Sequence, residues 1–430
     1  MTFVTNIEKD RFNTFVREHE KGHFLQSYEW GLFKSQTEDW SFDAVGLESI
    51  SGELIATALV LIRYLPVVKR PILYIPRGFV LNYDDMDLLK TMTQAIKKYG
   101  KSKKAIFFKI DPDIKYVTRN NEGEEMVGTD NKLIFNQLKK LGYQHLGFTQ
   151  DFSSTIQPRY TMRLDLKQDE AAILKGMRAT TRNAIKVAEK KGIDVVRGTK
   201  DDLAAFSQLM QATSARAGFI PRSLQYFESM YDLLAPAGML TLYLGKLNPT
   251  QALAHISADL ALTNKTITAY KEILANPKTG NKQRIKTENK LKEEEVKLPN
   301  LKAQYIEMDK LNCTGGADQI LTGALMIKFG NKVWYLYGAS DDSKRDLKPN
   351  FLVQWQSMKD HKNDGFDIYD FFGISGRADK DDPVYGIYLF KKGFGGEFTE
   401  FLGEFDYVLN KPLYLAWTKG MAIVKKRRKK

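Results

Sequence analysis

The chain has 430 residues, with 65 Lys or Arg and 52 Asp or Glu, so its formal net charge is 65 − 52 = +13. Apolar residues make up 43% and charged residues 27%, which excludes wholesale disorder, and no segment approaches the ~20 consecutive apolar residues of a membrane-spanning helix. A charged N-terminus and a single cysteine, Cys313, predict a cytoplasmic protein without disulfides, and the positive charge predicts an anionic partner.

The first 155 residues are predicted to alternate helices and strands. Two apolar segments, 53–65 and 72–75, flank a proline-bounded turn and predict a β-hairpin. A strand over 104–110 is closed by Asp111-Pro112. Amphipathic patterns predict helices over 6–20, 84–99 and 130–141.

A second unit is predicted from residue 156 to residue 399, and it repeats the mixed order of strands and helices. Residues 240–247 and 253–262 are predicted to form an antiparallel strand pair, and Gly330-Asn331 predicts a tight hairpin between 324–329 and 332–337. Further strands are predicted over 160–166, 193–196 and 367–372, and helices over 169–191, 200–218 and 351–362.

Residues 263–312 differ from their surroundings because they are long, charged and poor in aromatic residues. Apolar residues at Leu291, Leu298 and Tyr305 recur every seven positions, which predicts an antiparallel coiled-coil arm inserted in the second unit. An ordinary helical hairpin packed on the body is the alternative. Pro299 removes one helical hydrogen bond and predicts a kink.

The segment His19-Glu20-Lys21-Gly22-His23 matches the HExxH zinc pattern, but Gly22 weakens the helix that such a site requires. No P-loop, dinucleotide-binding GxGxxG or GxSxG sequence is present. We therefore expect no metal, no cofactor and no covalent intermediate on a Ser or Cys side chain.

Several residues stand where a binding or catalytic group would lie, although each has a plain structural explanation. Asp111 follows a predicted strand, where α/β proteins place functional groups; a simple Asp-Pro turn is the alternative. Arg222 and Tyr226 are one helical turn apart and could meet one ligand. Strand alternation would put Tyr335 and Tyr337 on one face of the sheet.

A second basic feature is Lys391-Lys392, which precedes the glycine-rich segment 393–396 and could bind an anion; ordinary surface charge is the alternative. The last six residues, Lys425–Lys430, are all cationic and supply 6 of the +13. They predict peripheral contact with an anionic membrane or with RNA, and a solvated terminus is the alternative.

Six segments in this order resemble the Fem family of peptidoglycan branching enzymes, which includes FemA, FemX and MurM-like proteins. They are FLQSYEWGLFK (24–34), PILYIPRGFVLNY (71–83), KIDPDI (109–114), PRSLQYF (221–227), VWYLYGAS (333–340) and YLFKKGFGG (388–396). The resemblance implies an α/β fold of two GNAT-like domains with mixed sheets, the first completed by residues 400–430, and a helical arm in the second.

The resemblance also implies roles for individual residues. Lys34 matches a lysine that meets the substrate diphosphate, and Asp111 matches an aspartate near the acceptor amine. Lys391 matches a cation near the reaction centre. The residues that match the lining of the substrate cleft are Arg222, Tyr226, Tyr335, Tyr337 and Phe390.

The implied activity is transfer of Ala, Ser or Gly from aminoacyl-tRNA to the residue-three side-chain amine of a muramyl-pentapeptide precursor, either lipid II or UDP-MurNAc-pentapeptide. An acyl-CoA N-acyltransferase on the same fold is the alternative enzyme, but the sequence lacks a convincing pyrophosphate loop. A non-enzymatic RNA-binding protein is the other alternative, and it leaves Lys34, Arg222, Tyr335 and Lys391 without a role.

Overall fold

The chain, represented by a computed structural model, forms two mixed β-sheets with helices between and around them. The structure describes residues 1–66, 68–128, 130–151, 155–313, 319–342, 344–377 and 379–428, with side chains up to residue 421. The strands are β1 Thr2–Val4, β2 Ser41–Glu48, β3 Leu54–Leu65, β4 Arg70–Ile75, β5 Phe107–Ile110, β6 Gln144–His145, β7 Tyr160–Asp165, β8 Ile193–Gly198, β9 Leu240–Leu247, β10 Gln319–Phe329, β11 Lys332–Ser340, β12 Ile368–Ile374, β13 Glu397–Glu400 and β14 Phe405–Val408.

Helices connect these strands and cover the sheets. They are α1 Lys9–Glu18, α2 Tyr28–Thr37, α3 Met86–Ser102, α4 Lys132–Lys140, α5 Glu170–Gly176, α6 Ala179–Lys190, α7 Leu203–Ala217, α8 Leu224–Leu234, α9 Pro249–Ala275, α10 Asn281–Cys313, α11 Pro349–Asn363, α12 Tyr385–Gly393 and α13 Lys411–Arg428, with short 3-10 helices at Phe24–Gln26 and Arg345–Leu347.

The first sheet has the order β1-β2-β3-β4-β5-β14-β6. Its neighbouring strands are antiparallel except for β4 and β5, which are parallel. β14 lies between β5 and β6 although it follows every strand of the second sheet in the chain. The domain limits, 1–155 with 400–430 and 156–399, stay predictions.

The second sheet has the order β13-β7-β12-β11-β10-β9-β8, and it too contains one parallel pair, β11 with β12. Its other neighbours are antiparallel. The predicted hairpins β3–β4 and β10–β11 are both present. The α/β fold class with two mixed sheets is therefore confirmed.

A layer of helices fills the space between the sheets and gives them a common core. Phe12 and Phe33 of α1 and α2 lie in one cluster with Phe206 and Phe227 of α7 and α8, and with Trp334 of β11. We call this layer the central layer. Helices α3 and α4 cover the other face of the first sheet, and α5, α6, α11 and α12 cover the other face of the second. The helices thus form three layers: the central layer, and one layer on the outer face of each sheet.

Two predicted elements are wrong. Residues 253–262 are part of α9, because the Asn248 side chain caps a helix that Pro249 begins. Residues 169–191 are two helices, α5 and α6, because Met177 and Arg178 are extended and the Arg178 amide donates to the Gly393 carbonyl. The second error results from a partner more than 200 positions away in the chain.

Helices α9 and α10 form an antiparallel hairpin, and the predicted arm, 263–312, lies within it. Thr250, near the start of α9, donates to Asn312, near the end of α10, and Lys271 pairs with Glu295 at 3.3 Å. α10 continues through Pro299. Of the predicted seam, Leu291 and Leu298 are half-buried, whereas Tyr305 is exposed.

The last helix, α13, packs on the start of β5, where Tyr414 contacts Phe107 edge-on at 5.3 Å. Leu415 and Met421 of this helix are exposed. The side chains of Lys425–Lys430 lie outside the described residues. In the described part of the chain, no helix combines the length and the apolar character needed to cross a membrane.

Candidate active site

In each sheet, the two strands of the parallel pair diverge at their carboxyl ends, and we call this opening a split. The last paired residues are Ile75 with Ile110 in the first sheet and Trp334 with Asp370 in the second. Beyond Trp334, β11 stays paired with β10 while β12 stays paired with β7. The carboxyl ends of such strands are where α/β proteins bind ligands. Predicted site residues lie at both splits.

Asp111 lies at the split of the first sheet, immediately after β5. Its Oδ2 accepts from the Tyr74 hydroxyl at 2.9 Å, and its Oδ1 accepts from the Arg77 amide at 2.7 Å. Burial raises the pKa of the Asp111 carboxyl to about 6, against the opposing positive charge of Arg77. Asp111 is thus a better proton acceptor than a solvated aspartate, and it is still largely ionised at neutral pH.

Lys391 lies at the split of the second sheet, at the end of α12. Its Nζ donates to the carbonyl oxygens of Gly373 at 2.8 Å and Phe372 at 3.3 Å, and lies 5.6 Å from the ring centre of Tyr335. Burial lowers the pKa of the Lys391 ammonium to about 7, and the negative charge of Asp370 opposes this shift. Lys391 can therefore gain or lose a proton near neutral pH.

A buried ion-pair chain fixes the backbone that Lys391 touches. Asp370 accepts from the Phe372 amide at 2.7 Å and from Arg163 Nε at 2.8 Å. The other side of the Arg163 guanidinium pairs with Asp113 at 2.8 Å. This series of ion pairs therefore links the second sheet to the segment after β5. We did not identify these residues from the sequence, although charged residues within the strand patterns 160–166 and 367–372 were a usable signal.

A second group of predicted residues meets at the central layer. Lys34 pairs with Glu38 at 2.5 Å, and Arg222 lies 3.5 Å from the same carboxylate oxygen. The Arg222 guanidinium stacks over the Tyr226 ring at 4.6 Å, and the hydroxyls of Tyr226 and Tyr337 are 3.3 Å apart. We call Lys34, Glu38, Arg222, Tyr226 and Tyr337 the Lys34 cluster.

The Lys34 cluster has the charge and the opening that an anionic ligand needs. Burial lowers the pKa of Lys34, and the hydrogen bond to Glu38 opposes the shift. Arg222 is about half exposed, with 49% of its side-chain surface accessible, so the cluster opens to solvent. Two cations face one carboxylate, which leaves positive charge for a ligand. Glu38 was missed, although it lies one helical turn from Lys34.

Tyr335 and Tyr337 do not share a face, so the expectation from strand alternation is wrong. Tyr335 is opposite Met326, and Tyr337 is opposite the preceding residue of β10, Leu325, so Leu336 is the extra residue of a β-bulge. Tyr335 packs with the outer face of the second sheet, beside Lys391. Tyr337 packs with the central layer, in the Lys34 cluster. The second sheet therefore separates two groups of candidate site residues.

Phe390 belongs with Lys391 and Tyr335 on the outer face. It is half-buried, and its ring meets Phe351 at 5.0 Å and Phe394 at 5.3 Å. No hydrogen bond or ion pair between described residues joins Asp111 to Lys391. The link between them is indirect: Arg77 and Arg163 both lie over the Phe401 ring, at 4.2 Å and 4.9 Å.

The HExxH segment does not form a zinc site. α1 ends before His19, and His23 accepts from the Leu25 amide and so caps the first 3-10 helix. A Cβ added at Gly22 would lie 1.9 Å from the Val16 carbonyl oxygen, so this segment is a tight turn. In the described ranges, no group of three or more His, Cys, Asp or Glu side chains could hold a metal ion.

Comparisons with known proteins identify the family of the chain. The FemAB family matches residues 7–419. A lipid II:glycine glycyltransferase of Staphylococcus aureus (strain USA300) is 34% identical over 413 residues, which cover 96% of this chain and 93% of that protein. FemX, whose crystal structure is known, has 31% sequence identity to this chain. The match covers 97% of this chain and 99% of the FemX chain, and the two structures superpose with a TM-score of 0.79. The chain belongs to the FemAB family and is an enzyme of the aminoacyltransferase class.

Proposed function

We propose that this enzyme transfers glycine from glycyl-tRNA to the side-chain amine of residue three of lipid II and so begins or extends an interpeptide bridge. The observation that carries the proposal is the likeness to the lipid II:glycine glycyltransferase, which extends over 96% of the chain. Alanine and serine remain the other donors to test, and UDP-MurNAc-pentapeptide is the other acceptor.

The Lys34 cluster suits the diphosphate of such an acceptor. Lys34 and Arg222 share one carboxylate oxygen of Glu38, so both cations already point at one place. A diphosphate can displace Glu38 from Arg222 and pair with both cations. Tyr226 and Tyr337 provide hydroxyl groups and apolar ring faces beside it. We assign substrate binding to these four residues.

The transfer step needs a free amine and an acceptor for negative charge. The amine nitrogen attacks the ester carbonyl carbon, the new C–N bond forms, and the carbonyl oxygen takes up the electron pair. When the carbonyl re-forms, the bond to the tRNA 3′ oxygen breaks, and that oxygen takes up the proton that the amine nitrogen loses and leaves as a hydroxyl. The aminoacyl ester is already activated, so the reaction uses no ATP.

Asp111 and Lys391 have the charges that this step requires. Ionised Asp111, with its pKa raised to about 6, orients the amine and accepts a proton from it. Protonated Lys391 donates a hydrogen bond to the oxyanion in place of one that it now gives to a carbonyl of the second sheet. Tyr335 and Phe390 border Lys391 and contact the aminoacyl end.

The proposed donor is a tRNA of the cytoplasm and the proposed acceptor is lipid-linked, so we also propose a cytoplasmic enzyme that meets the inner membrane face peripherally. The proposal is tested by mixing purified protein with tRNA charged with glycine, alanine or serine and with each acceptor, then reading the product mass. Addition of one glycine to lipid II is the expected result. No added residue on either acceptor, with any of the three donors, overturns the proposal.

A further inference from the structure

The end of α5 and the whole of α6 carry a row of cations that the site described above does not use. Lys175, Arg178, Lys186 and Lys190 are exposed, and we call these four residues the basic strip. Residues 171–191 contain six cations and one acid, so their net charge is 6 − 1 = +5. The chain outside the arm and the tail has 13 − 4 − 6 = +3, so without this segment it would be −2.

Most of the basic strip lies on α6, where it is unfavourable for the helix. Lys186 and Lys190 are four positions apart on α6 and repel each other by about 0.2–0.5 kcal/mol, and Arg178 lies at the N-terminal end of α6, where the helix dipole disfavours positive charge. Arg178 also makes no side-chain capping hydrogen bond. In the described ranges, no carboxylate lies within ion-pair distance of the four cations. A local conflict without a structural benefit indicates a binding function.

The position of the basic strip connects two parts of the molecule. At its start, the Arg178 amide donates to the carbonyl of Gly393, the last residue of the helix that carries Lys391, at 2.9 Å. At its end, Lys191 donates to Gln304 of α10, near the base of the helical hairpin. α6 has 12 residues and is thus about 18 Å long.

We propose that the basic strip binds the phosphates of the tRNA acceptor stem, which directs the aminoacyl end to Lys391 and the rest of the tRNA to the α9–α10 hairpin. This inference rests on the proposed use of aminoacyl-tRNA. RNA fits better than a membrane, because no large apolar side chain is exposed in the described residues between Ile156 and Val196.

The test replaces Lys186 and Lys190, which touch no reacting group, in the variant K186E/K190E. The matched control is K98E/K101E, two exposed lysines of α3 on the first sheet, with the same change of charge. We expect K186E/K190E to raise the KM for charged tRNA at least 10-fold and to flatten the slope of log affinity against log salt by ~1.5, with kcat and the KM for lipid II unchanged. The control should alter these values less than 2-fold.

Equal effects of the two variants on tRNA would overturn the inference while leaving the proposed function in place. If K186E/K190E instead loses binding to anionic vesicles and keeps its binding to tRNA, the inference is overturned and the basic strip is a membrane-binding surface. Wild-type protein that binds no tRNA and transfers no amino acid would overturn the inference and the proposed function together.

Discussion

Tyr335 and Tyr337 are two positions apart on β11, yet their rings lie on opposite faces of the second sheet, because Leu336 is the extra residue of a β-bulge. The bulge begins just beyond Trp334, the last residue that pairs with β12. One strand therefore contributes an aromatic ring to each of the two groups of candidate site residues. The open split between β11 and β12 lies beside both.

This arrangement predicts selective coupling between tyrosines. Y226F and Y337F each remove one hydroxyl of a pair 3.3 Å apart, so their effects on kcat/KM for lipid II should be coupled by about 1 kcal/mol. Y226F and Y335F should be additive, because Tyr335 lies on the other face. Double-mutant cycles from steady-state kinetics measure both. Equal coupling in the two cycles would contradict the separation of the faces.

Lys391 predicts a pH dependence of catalysis. Its pKa of about 7 means that the cation is lost as pH rises through 7, so the oxyanion loses its donor and kcat should fall on the alkaline side. K391M should lower kcat by about 10²–10³-fold. K391R keeps its charge at every working pH, so any residual activity should show no alkaline fall near pH 7. Single-turnover rates between pH 6 and 9 test this.

Titration of Lys391 should also make the free energy of unfolding depend on pH. Burial lowers the pKa of folded Lys391 below that of the unfolded chain, so the unfolded chain binds more protons between pH 7 and about 10. The free energy of unfolding of the wild type should rise with pH across this range, relative to K391M. Urea titrations at pH 7 and pH 9 provide the comparison, and parallel behaviour of the two proteins would show that Lys391 does not titrate there.

Titration of Asp111 should produce the acidic limb of the pH profile of kcat/KM. Its pKa of about 6 means that the carboxylate is protonated as pH falls below 6, so kcat/KM should decline there. D111N should lower kcat/KM by about 10²-fold at pH 7 and abolish this acidic limb. Y74F removes one hydrogen bond to Asp111 but keeps the carboxylate, so it is the matched control and should retain the limb. Full activity of D111N at pH 7 would exclude a role in handling the amine.

The basic tail predicts membrane affinity that is separable from chemistry. Removing Lys425–Lys430 lowers the net charge from +13 to 13 − 6 = +7. Each cation near an anionic surface contributes about 1 kcal/mol, so binding to phosphatidylglycerol vesicles at low salt should weaken at least 100-fold. Transfer to detergent-solubilised lipid II should stay within 2-fold of wild type. Unchanged binding to both vesicles and tRNA would refute a role for the tail.

The sequence was most informative where local patterns determine structure. The hairpins β3–β4 and β10–β11 follow from apolar strand patterns and turn residues, and both are present. The break between α5 and α6 could not be predicted, because it depends on a hydrogen bond from Arg178 to Gly393. The bulge at Leu336 was equally hidden, since an extra residue leaves the sequence pattern looking like simple alternation.

For the candidate site, the resemblance supplied residue identities but not their arrangement. Lys34, Arg222 and Tyr226 meet through Glu38, which the helical spacing from Lys34 could have revealed. The raised pKa of Asp111 and the lowered pKa of Lys391 could not be predicted, because both result from burial by distant segments.

The late position of β14 has a consequence for synthesis of the chain. β5 and β6 border β14 on either side, so both present unpaired edges until residues 405–408 have left the ribosome. Residues 146–404, which include every strand of the second sheet, are translated in the meantime. Exposed strand edges favour aggregation during this time. A chain that terminates after α12 should therefore need a chaperone to remain dispersed, even though it retains Lys34, Asp111 and Lys391.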